Sequence, residues 1–161
     1  MIIGSEVQKP DDATLVLRRL LKAPQERAFK AWTSPEHIQQ WMRPEPGMVV
    51  PLVRMDLRVG GKFRIQMKNP DGEYFTAVGE FREVTPPERL VYTWDWEKDG
   101  GGTEYGEVEG KTSLITVEFL NRGEQTEFVM THTRFATVQS RDGHAQGWSR
   151  AVESLAKFLE G

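Results

Sequence analysis

Cysteine is absent from all 161 residues, which excludes disulfides, thiolate metal sites and a cysteine nucleophile. No apolar run approaches the roughly 18 residues of a membrane-spanning helix. Residues 1–12 lack the apolar core of a secretory signal peptide, so a cytoplasmic location is the expectation. Basic clusters are missing too. With 21 Lys and Arg against 24 Asp and Glu, the net charge is −3, and nucleic acid is not expected as a partner. Histidines number three: His37, His132 and His144. They show no HxH or HxxxH spacing, so no metal site is expected. The serine elbow G-x-S-x-G does not occur. Gly60-Gly61 and the triglycine at 100–102 lack the lysine and the strand-to-helix context of a phosphate loop, and read as turns. No cofactor is implied, and no catalytic constellation is recognisable.

What remains is apolar material for one core. A hydrophobic content of 38% against 28% charged residues describes a globular chain, and at this length about 70% of the unfolded surface can be buried. The clearest element is a helix over 143–159. At about 100° per residue, Trp148, Val152, Leu155 and Leu159 fall within about 60° of one another, with Ala145, Ala151 and Phe158 widening the stripe. Ser140 or Asp142 is placed to cap its start, and Gly161 follows its last apolar residue. His144 and Gly147 leave the N-terminal end of the stripe partly polar and partly hollow.

The rest of the chain reads as strands and two short helices. Residues 1–12 mix Gly, Ser, Pro and acids without a period and are expected as a flexible tail; a single domain is expected over 13–161. A first strand over 13–21 ends at Ala23-Pro24. A helix over 25–33 follows, with Pro24 suited to its first position, and a second helix starts at Ser34-Pro35-Glu36. Alternation then marks strands at Val53, Met55, Leu57 and Val59; at Phe63, Ile65 and Met67; at Phe75, Ala77, Gly79 and Phe81; and at Leu90, Tyr92, Trp94 and Trp96. The acidic, glycine-rich stretch 97–110 reads as a mobile loop. Ser113, Ile115, Val117 and Phe119 share a further strand face, as do Phe128, Met130 and His132. The expected class is α+β: one strand, two short helices, a meander of about six antiparallel strands, and a long C-terminal helix gripped by the curved sheet.

Trp32-Thr33-Ser34-Pro35-Glu36, Trp41, the run from Asp56 to Phe63 (DLRVGGKF), Pro70-Asp71-Gly72, the run from Pro87 to Trp94 (PERLVYTW) and Gly147-Trp148 carry a resemblance. Together they resemble the Aha1-type branch of the START-like (SRPBCC) superfamily, named after the C-terminal domain of the eukaryotic activator of Hsp90 ATPase. The similarity spans residues 14–160. It implies a helix-grip (START/Bet v 1-like) fold with a hydrophobic cavity between sheet and helix, and a hydrophobic small molecule or lipid as its usual occupant. It does not imply a reaction, since members include binders, cyclases, hydrolases and chaperone partners.

The expected use is binding of an aromatic or lipid-like molecule between the C-terminal helix and the faces of Ile65, Trp94 and Met130, with Trp41 closing one end. Trp32, Met67, Trp148 and Val152 add lining, and His132, His144 and Tyr92 are the expected polar contacts. Tryptophan N–H groups want partners, and Met42, Met67 and Met130 suit loose selectivity; plain core packing is the competing account for each aromatic. His144 is expected to gate the site or to bond a polar ligand end. Two other classes stay open: a cyclase- or hydrolase-type enzyme using the same cavity, favoured by a buried His132–carboxylate pair, and an Hsp90-type chaperone partner. The oligomeric state, homodimer included, is left open.

Overall fold

The computed structural model describes residues 4–97 and 112–161. Its elements are β1 (Glu6–Asp11), β2 (Thr14–Leu21), α1 (Gln25–Thr33), α2 (Pro35–Trp41), β3 (Val49–Met55), β4 (Lys62–Lys68), β5 (Tyr74–Thr85), β6 (Arg89–Trp96), β7 (Ser113–Arg122), β8 (Gln125–Thr133) and α3 (Val138–Glu160). The eight strands form one antiparallel sheet in the order β1-β2-β8-β7-β6-β5-β4-β3. Its concave face holds α3 through Trp148, Ala151, Val152, Leu155 and Leu159, all buried, so the fold is the expected α+β helix grip.

Period-2 alternation places the core. Leu90, Tyr92 and Trp94 of β6 are buried on the concave face beside Ile115 and Val117 of β7, and Phe128, Met130 and His132 of β8 continue it. Pro24 stands just before α1 as its N-cap, while Ser34 caps α2 ahead of Pro35 at the first turn. The two short helices close the wide end with an aromatic stack. Trp32 lies on Trp41 at a centroid distance of 5.0 Å and tilts against Trp148 at 6.0 Å.

Four boundaries differ from the sequence reading. Within the stretch expected as a tail, Glu6–Asp11 pairs with β2 as an edge strand. All its residues are exposed, so no hydrophobic period marks it; Lys9–Asp142 at 2.9 Å and Ser5–Glu153 at 3.1 Å tie this end to α3. The strand expected to run through Val59 ends at Met55, and Leu57 and Val59 lie exposed in a turn. Gly61 forces that turn, because a Cβ there would overlap the Asp56 carbonyl oxygen. The C-terminal helix starts at Val138, not at 143, with Thr137 Oγ1 accepting from Ser140 N at 3.0 Å in place of a Ser140 or Asp142 cap. Of the loop expected over 97–110, residues 98–110 lie outside the described residues; Glu97 is buried and bonded.

Candidate functional site

From Trp148 towards the C-terminal end of α3, the space between helix and sheet is almost wholly side chain. Trp32, Trp41, Ile65 and Tyr92 border a remnant of about 20 Å³, room for about one water. Trp41 Nε1 donates to Ala31 O at 2.8 Å, so this indole belongs to the packed interior and closes no cavity. Trp32 Nε1 donates to the Tyr92 hydroxyl at 3.2 Å, and burial pushes that phenol well above its usual range. The Tyr92 oxygen is thus engaged inside the core. Met130 and Val152 are fully buried and border neither this remnant nor the larger space beside it. At Ile65 and Met130 the expected cavity is therefore filled by core side chains, Trp32 and Trp41 among them, whereas Trp94 borders open volume.

The open volume lies at the N-terminal half of α3, as a cleft of about 410 Å³. One wall is α3 itself, through Gly143, His144, Gly147 and Trp148. The facing wall is Met67 and Phe75 of β4 and β5 with Trp94 and Trp96 of β6. The loop after α2 closes the side with Met42, Pro44 and Met48, and Glu45 and Arg150 put opposite charges among the lining residues. Of the expected site residues, Met67, Trp94, His144 and Trp148 meet here. Trp96, Phe75, Met48 and the helix glycines are additions. Trp96 shares its parity with Trp94, and glycines four apart on one helix face could have pointed to an emptied wall.

Two histidines, buried His132 and half-buried His144, have fixed protons. His132 is fully buried; Trp148 Nε1 donates to its Nδ1 at 3.2 Å, so Nδ1 carries the lone pair. Its Nε2 then holds the proton and gives it to Ser113 Oγ at 2.6 Å, while Ser113 passes its own to Trp94 O at 3.0 Å. The chain Trp148–His132–Ser113–Trp94 is closed in one direction. Ser113 and His132 have the spacing of a nucleophile and its base, but the ring nitrogen facing the hydroxyl is a donor and cannot accept its proton. Among the described residues no carboxylate bonds His132, and both ring nitrogens are engaged. His132 is a positioning residue for Trp148.

Burial, with His144 5.1 Å away between ring centroids, holds the His132 pKa well below the usual 6.5. Burial also lowers that of His144. In the unfolded chain both titrate near 6.5, so stability is complete above that pH. It is lost as pH falls below about 6.5, by up to about 1.4 kcal/mol per pH unit for each imidazole. The carboxyls of Glu153 and Asp142, held below 4.5 and 3.8, add their losses only further down. Urea midpoints should fall between pH 7 and 5, with a shallower slope in His132→Gln. An unchanged slope in that variant would contradict a neutral His132.

Among the described residues no group of three His, Asp or Glu side chains could hold a metal ion, and no helix is long and apolar enough to cross a membrane. The family model described as activator of Hsp90 ATPase homolog 1-like protein matches residues 22–160. No curated protein matches. Among solved structures, a protein from Rhodobacter sphaeroides superposes with a TM-score of 0.80 at 23% identity, covering 98% of this chain and 99% of that one. A protein from Rhizobium leguminosarum reaches 0.73 at 28% identity over 99% of both chains. One from Silicibacter pomeroyi, described as an AHSA1 protein, reaches 0.77 at 26%, over 92% of this chain and 98% of that one.

Proposed function

Since the chain belongs to the activator of Hsp90 ATPase homolog 1-like family, we propose that it binds a hydrophobic small molecule, aromatic or lipid-like, in the cleft beside the first half of α3. The cleft's size falls in the range of small-molecule sites, about 300–1,000 Å³. Its lining pairs rigid indoles with adaptable methionines.

The observation that carries this reading is Gly143. Glycine costs about 1 kcal/mol against alanine inside a helix, and Gly143 lies well inside α3. Among the described residues a Cβ there would meet nothing within 4 Å, so none of them demands the glycine as a packing partner. What a side chain would take is cleft volume. Gly147 is a different case, since its Cβ would sit 3.4 Å from Pro44 Cβ; the loop after α2 already rests on it. Gly143 is kept small for an occupant.

The test is a two-way substitution. Gly143→Ala is expected to raise stability by up to about 1 kcal/mol. Gly143→Leu should keep the fold while weakening an environment-sensitive probe, 1-anilinonaphthalene-8-sulfonate, at least tenfold. Equal probe affinity in Gly143→Leu and the parent would remove the cleft as the binding site. Native mass spectrometry of protein from its own host, seeking a co-purified compound, would identify the occupant. A hydrolase built on Ser113 and His132 has the proton order of that pair against it.

A further inference from the structure

Beyond the cleft lies a second space of about 110 Å³, bordered by the polar residues Ser113 and Thr137. Both spaces have Trp96 and His144 in their walls. These two side chains, one from the end of β6 and one from α3, meet through a single hydrogen bond: Trp96 Nε1 donates to His144 Nε2 at 3.2 Å. On the other side of the ring, Nδ1 stands 2.7 Å from Ser140 O, one helical turn back. A carbonyl can only accept, so Nδ1 carries the proton and Nε2 carries the lone pair. The partition is therefore an acceptor between the two spaces, covered by the indole N–H of Trp96, a residue that is only half-buried.

Resting on the binding reading of the cleft, we propose that the occupant carries a hydroxyl, and that its O–H replaces the Trp96 indole N–H on His144 Nε2. The apolar body of the ligand fills the Met- and Trp-lined cleft. The hydroxyl enters where the indole now lies, next to the small polar space. The ligand class is an apolar alcohol or phenol, not a carboxylic acid. A carboxylate offers only acceptors and would set lone pair against lone pair. Burial keeps the imidazole neutral rather than converting Nε2 to a donor. An analogue without the hydroxyl cannot replace the indole N–H on Nε2, so Trp96 stays across that position and the analogue gains neither the hydrogen bond nor the room the indole would vacate.

The probes are 2-naphthol, naphthalene and 2-naphthoate, titrated by NMR while the five tryptophan indole N–H signals are followed; Trp96→Phe identifies the Trp96 signal. The expected result is binding of 2-naphthol at least tenfold tighter than naphthalene, with a shift of the Trp96 signal. His144→Leu should bring the two affinities together. Trp96→Phe, which removes the competing donor, should leave 2-naphthol bound at least as tightly as the parent does. Equal affinity of 2-naphthol and naphthalene in the parent would overturn the hydroxyl inference and leave the cleft standing. So would strongest binding of 2-naphthoate, which would move the polar contact to Arg150. No binding of any of the three would overturn the cleft reading itself.

Discussion

Trp148→Ala is expected to destabilise the fold by about 3–5 kcal/mol, as large aromatic-to-alanine changes in a core do. Trp148 is 4% exposed, and its ring sits 5.0 Å from Trp94 and 6.0 Å from Trp32 between centroids. Removing it takes away that packing and also strands His132 Nδ1, whose hydrogen-bond donor is the Trp148 indole N–H. A buried acceptor left without its donor costs a further part of that sum. Trp148→Phe should cost less, since it keeps most of the ring volume and loses the N–H. Denaturant unfolding of the two variants separates volume from hydrogen bond. Trp148 also borders both the 20 Å³ remnant and the cleft, so the alanine variant merges them and should accept a bulkier probe than the parent. A loss near 1 kcal/mol with altered probe affinity would instead make the indole a wall of the cleft and not a pillar of the core.

The fold was readable where side chains obey one period and unreadable where they do not. Leu90, Tyr92 and Trp94 alternate inward because one face of β6 is buried, and α1 ends where Ser34-Pro35 caps the next helix. The strand Glu6–Asp11 buries nothing, so only its backbone pairing marks it. Leu57 and Val59 continue an alternation that the close approach at Gly61 cuts off, a contact between residues that no period reports. The site was legible only in part for a related reason. Parity tells which side chains face the helix but not how much of the space they fill. Trp32 and Trp41 face inward as expected and then stack on each other, which removes the volume they would have lined. His132 and His144 lie on the same apolar side, yet their roles are set by which neighbour donates to which nitrogen, and that is decided by three or four residues far apart in the chain.

Glu97→Ala is the other large expected loss, again about 3–5 kcal/mol, because it breaks a buried ion pair. Arg64 Nε and Nη2 donate to the two carboxylate oxygens of Glu97, each at 2.9 Å, and the side chains are 1% and 2% exposed. Arg64 lies on the face of β4 opposite Phe63 and Ile65, away from the helix, so the pair fastens the outer side of the sheet. Replacing both partners with apolar residues of similar volume, Arg64→Met with Glu97→Leu, should cost less than Glu97→Ala alone, since the buried guanidinium is then removed together with its Glu97 carboxylate. The pair also reaches the cleft. Glu97 N donates to Thr76 O at 2.9 Å, which holds the end of β6 against β5 one residue after Trp96. Glu97→Ala keeps that backbone bond but loses the two carboxylate bonds to Arg64 that anchor the strand end, and should loosen the Trp96 indole from His144, visible as a shift or broadening of its N–H signal under conditions where the variant remains folded. A Glu97→Ala variant that loses stability while keeping the parent's Trp96 signal would confine the pair to holding the sheet, with no hand in positioning the cleft wall.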